Sequence, residues 1–130
     1  MTAEIAGVPE IYVERFVEAY EAFVVQVRTM VQQAVKSPLL GSPELVSEWQ
    51  SRVLPLLEER LARIKRAVAG FHGGDAAPLI RSADDATGLS KNLDLFSFDF
   101  AGPEAKEALE SLLTRVITTA YQVCNAAGLS

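Results

Sequence analysis

Cysteine and histidine are nearly absent from this chain of 130 residues: one of each occurs, Cys124 and His72. A single cysteine excludes an internal disulfide. One histidine and one cysteine fall short of the three or four protein ligands of a zinc site. No metal or other cofactor is therefore expected. Long apolar runs are also missing, and none reaches the ~20 residues needed to cross a bilayer. The N-terminus, Met1-Thr2-Ala3-Glu4, has no basic stretch followed by an apolar one, as a secretory signal would. A cytoplasmic location is expected. Positive charge is in deficit, with a net charge of −5. An acidic chain repels phosphate backbones and anionic lipid surfaces, which argues against nucleic-acid and membrane partners.

What is present is apolar and helix-forming. Hydrophobic residues make up 49% of the chain, a high share for one small domain spanning residues 1–130. Three segments open alike, at Val8-Pro9-Glu10, Ser42-Pro43-Glu44 and Gly102-Pro103-Glu104. Proline suits the first helical position, where its missing N–H is not needed, and glutamate beside it meets the positive end of the helix dipole. The acidic residues agree with these starts. All glutamates lie in 1–67 or 104–110, and all aspartates lie from Asp75 to Asp99. Glutamate is tolerated inside helices, whereas aspartate favours caps and turns. The fold class is thus all-α: a helical bundle of three long helices over about 9–36, 43–71 and 103–127, with the roughly ±2–4 residue tolerance of such boundaries.

The first helix turns Tyr12, Val13, Phe16, Val17, Ala19, Tyr20, Phe23, Val24, Val27, Met30, Val31, Ala34 and Val35 into one broad arc at 100° per residue. Ile11, Ala22 and Val25 lie on its polar side and are expected at an interface. The second helix points Val46, Val53, Leu54, Leu57, Leu61, Ile64, Val68 and Phe71 inward, with Trp49 at the flank. Pro55 removes one backbone bond and predicts a kink or break near Leu54. The third directs Leu109, Leu113, Val116, Ala120, Val123 and Cys124 to the core, where Cys124 acts as a small hydrophobe.

Between the second and third helices, Asp75 to Gly88 predicts a short helix over about 76–87, with Leu79, Ile80 and Ala83 inward. After it comes Leu93–Phe100, which alternates apolar and polar residues from Leu95 or Phe96 onward and reads as an extended aromatic segment. Phe96, Phe98 and Phe100 would share one side of it. They are expected to close the core as a lid or to reach into another copy of the chain.

The candidate chemistry is sparse. His72 fits a helix C-terminus, where a cation is favoured, better than a catalytic role. Asp84-Asp85 lacks the further inward carboxylates of a magnesium site. The run Arg60, Arg63, Lys65, Arg66 belongs to the last turns of a helix, which also favour cations, and has no interleaved aromatic residue for stacking on nucleic acid. Two residues break the apolar pattern: Gln50 near its centre and Arg60 at its edge. A buried amide or guanidinium needs a partner. The plain account is that a kink at Pro55 rotates the two halves of the helix and Arg60 snorkels outward; the sharper account, with Tyr20, is an apolar pocket with a polar end.

The leading expectation is a non-catalytic interaction or assembly module, self-associating as a homo-oligomer, most simply a dimer, or binding another protein. The alternative is a small-molecule-binding or enzyme-accessory bundle, with an apolar ligand near Gln50, Arg60 and Tyr20. No catalytic residue is assigned.

Overall fold

A computed structural model describes residues 10–36, 43–69, 77–93 and 102–126, and every described element is helical. In chain order these are α1 (Glu10–Lys36), α2 (Pro43–Glu48), a π-helical turn (Trp49–Val53), α3 (Leu54–Ala69), α4 (Ala77–Leu93) and α5 (Gly102–Ala126). The expected extended segment, with Phe96, Phe98 and Phe100, lies outside the described residues, as do His72 and Asp75.

The long helices surround one core. α1 packs against α3 and α5, and α4 packs against the same two. The direction of travel follows from the ion pairs. Lys65 bonds Glu21, and Arg28 bonds Glu58 through Nη2 at 2.7 Å. A step forward along α1 is thus an equal step back along α3, so the two run antiparallel. Both pairs are about half exposed and stabilise only weakly. Their use is to set the register.

The apolar arcs fill the core much as their spacing predicts. Phe16, Tyr20, Phe23, Val24 and Val27 of α1 are fully buried, along with Leu57, Ile64 and Leu79. Leu109, Val116, Ala120 and Val123 of α5 complete the core, and Cys124 is buried at its margin. The rings of Phe16 and Tyr20 meet edge to face, with centroids 6.2 Å apart. Val35, expected inward, is 49% exposed in the last turn of α1.

Two further expectations are refined or corrected by the backbone. The disruption expected from Pro55 is found just before it, as a change of helix type between Glu48 and Leu54 rather than a gap in the helical course. The chain widens there into a π turn, where the Leu54 N–H reaches back to the Trp49 carbonyl. Pro55 could not have bonded the Ser51 carbonyl, and the wider turn accommodates that missing bond. The turn also re-faces the segment. Trp49, Val53, Leu57 and Leu61 point inward at successive intervals of four, more than the 3.6 residues of an α-helical turn. Trp49 is therefore fully buried rather than at the flank, and Gln50 turns out to solvent instead of facing the core.

The second correction is at Gly88, which does not end the helix before it. α4 continues to Leu93. A side chain at Gly88 would meet nothing within 4 Å, and the position needs no left-handed backbone.

Candidate functional site: an arginine-lined groove between α3 and α4

Of the three residues expected to mark a pocket, the fold brings two together. Tyr20 of α1 and Arg60 of α3 line one narrow crevice with Arg63, Ile64, Ser82 and Asp85. Gln50 is no part of it, because the π turn carries it outward. The crevice is tightly closed, not an apolar cavity. Arg60 Nη1 lies 3.5 Å from Asp85 Oδ2, and Arg63 Nη1 lies 3.6 Å from the same oxygen. Asp85, singled out for metal binding only to be set aside, is thus the shared counter-ion of two arginines. Among the described residues no group of three metal-ligating side chains occurs.

The crevice carries an electrostatic cost. The Tyr20 hydroxyl and Arg60 Nε are buried and have no hydrogen-bond partner among the described residues. Such a group forfeits on the order of 1–3 kcal/mol of hydration. Burial raises the Tyr20 pKa well above its ordinary value, the nearby Arg60 charge opposes the rise, and Asp85 adds to it. Burial likewise raises that of Cys124, with a lesser push from Asp84.

Two consequences can be measured. Tyr20→Phe deletes an unsatisfied hydroxyl and keeps the ring, so it should leave stability unchanged or raise it by up to ~1–2 kcal/mol. A loss above ~1 kcal/mol in denaturant melts would show that the hydroxyl is satisfied. The alkaline limb should also change. The unfolded chain loses the tyrosine proton near pH 10 while the folded chain keeps it, so the unfolded state binds fewer protons there. Stability contributed by this group is full below about pH 9 and falls as pH rises past 10; Cys124 gives the same sign from about pH 8.5. In Tyr20→Phe the decline above pH 10 should be shallower.

Outward of the crevice, and sharing Arg63, Ser82 and Asp85 with it, is an open groove of about 420 Å³. Arg66, Ala67, Pro78 and Arg81 complete its walls. The last turns of α3 and the first turns of α4 run side by side here, so residues some fifteen positions apart in the chain face one gap. Pro78, Arg81 and Ser82 fall in the first six residues of α4. Pro78 is in the first turn, at the positive end of the α4 dipole. Arg63 Nη2 is also held by Glu59 Oε1 at 3.2 Å. Arg66 and Arg81 have no ion-pair or hydrogen-bond partner among the described residues. The Ser82 hydroxyl donates to the Pro78 carbonyl at 3.0 Å and is not poised as a nucleophile.

The basic run was visible in the sequence, but its partner across the groove was not. Arg81 lies in a different helix, and only antiparallel packing of α3 and α4 sets it opposite Arg66.

The expected interface residues are placed less uniformly. Ile11 and Val25 are 49% and 47% exposed, and Ala22 is half-buried. No helix among the described residues is long and apolar enough to cross a membrane. Comparison with protein-family models, curated proteins and solved structures finds no match, so the functional reading rests on these residues alone.

Proposed function

We propose that the chain is a non-catalytic binding module that takes an anionic small molecule in the α3–α4 groove. One observation carries the reading: an acidic chain gathers Arg63, Arg66 and Arg81 around a single groove and leaves two of them without a partner among the described residues. A volume of about 420 Å³ lies in the range of small-molecule sites. The groove's polar groups bind rather than react. Its guanidinium groups stay protonated, its serine is engaged with backbone, and its one carboxylate is shared between two arginines. The test is titration with benzoate, followed by amide NMR. Shifts should cluster at Ala67, Arg81, Ser82 and Asp85. If neither benzoate nor a doubly charged anion moved these signals at tens of millimolar, the reading would fall.

Self-association is a second reading, favoured by the exposed Ile11 and Val25 on one stripe of α1 with Ala22 between them. Sedimentation at tens of micromolar should then show a dimer, and Val25→Glu should return it to monomer. A monomeric parent protein would remove this reading and leave the groove untouched.

A further inference from the structure

We infer that the anion suited to the α3–α4 groove is a phosphate monoester carried on a small organic molecule; this rests on the groove being the ligand site. The inference comes from charge. Arg60 pairs with Asp85, and Arg63 with Glu59, although Arg63 also reaches Asp85. Once those pairs are matched, two cations remain, Arg66 and Arg81. A carboxylate or a phosphodiester would neutralise one of them. A phosphate monoester carries about −1.5 to −2 at neutral pH, enough for both, and offers three terminal oxygens to guanidinium forks.

The surroundings favour the same ligand. Pro78 lies in the first turn of α4, so the dipole of that helix adds a positive field at this end of the groove. The stems of the arginines, Ala67 and Pro78 give carbon surface for the organic part, and a guanidinium plane can stack on an aromatic ring. The groove is closed inward by the narrow crevice that holds the Arg60–Asp85 pair, so the ligand enters from solvent and stops at Arg63. Arg63 and Arg60 lie at 3.6 and 3.5 Å from the same Asp85 oxygen, so a doubly charged ligand can draw Arg63 away without leaving Asp85 unpaired, since Arg60 remains.

The experiment compares three probes on the whole chain at pH 7.4: phenyl phosphate, its singly charged methyl ester, and benzoate. Binding is read from amide NMR shifts. Phenyl phosphate should bind about tenfold more tightly than either single anion, the gain expected from one further charge-assisted bond. Arg66→Gln and Arg81→Gln should each weaken phenyl phosphate by about tenfold and bring it level with the other two probes. Arg52→Gln, whose guanidinium is paired with Glu48 on the π turn, should change nothing. Arg66 and Arg81 are exposed, so these variants should keep the parent melting temperature. Inorganic phosphate and a phosphoserine peptide separate the sources of the group. Phosphate binding as tightly as phenyl phosphate would show that the organic part contributes nothing, and tighter binding of the peptide would assign the groove to a protein partner; either overturns the inference. Equal binding of all three organic probes would overturn it while leaving an anion groove in place. No shift with any probe would remove both.

Discussion

Phe23→Ala should destabilise the fold by ~3–5 kcal/mol, as the loss of a large buried aromatic side chain does. Phe23 sits mid-way along α1 and is fully buried between the helices on either side. Truncation removes ring surface from the core and leaves a hole that rigid helices close only in part. Leu113→Ala, at the less enclosed edge of α5, should cost nearer ~2–3 kcal/mol. Glu18→Ala, at an exposed position of α1, should stay within about 0.5 kcal/mol. Urea melts measure all three. If Phe23→Ala and Glu18→Ala shifted the midpoint equally, the assignment of α1's inner face would be wrong.

Ala83→Leu should be costly in the opposite way, by ~1–3 kcal/mol or more. Ala83 and Ala86 of α4 and Ala120 of α5 are all buried, and α4 packs directly on α5. Ala83 is fully buried, so a leucine there must displace its neighbours. Ala83→Ser, a smaller change, should cost less, while Ala83→Leu should widen the α4–α5 spacing and lower the melting temperature. A leucine accepted without loss would reveal unfilled volume beside Ala83.

The helices were legible where two independent signals agreed. α1 and α5 carry both a Pro-Glu start and an unbroken 3.6-residue apolar period, and their ends fall within one residue of expectation. The second helix was legible in extent but not in facing. A fixed 100° per residue cannot follow a wider turn, so Trp49 and Gln50 exchanged places. Gly88 misled because glycine ends helices when the backbone must turn left-handed, and here it need not. Of the candidate site, Tyr20 and Arg60 could be singled out because each set a polar group against an apolar face. Arg66 was visible only as part of a basic run and Arg81 not at all, since each alone reads as an ordinary solvated arginine. Their joint meaning depends on a register that no local pattern contains.

The wide turn at Trp49–Val53 has a further meaning for how such a chain can change length. A π turn is a helix that has absorbed one surplus residue, so that the residues after it keep the facing they would have if that residue were missing. Excising Gln50, which touches solvent, would let the turn relax to ordinary α-helical pitch. The stretch beyond it would still present Leu57, Leu61 and Ile64 to the interior and Lys65 to Glu21. This helix therefore holds slack at one known place. A single-residue loss can be tolerated there that, between the turn and Leu57, would swing Leu57, Leu61 and Ile64 off the core.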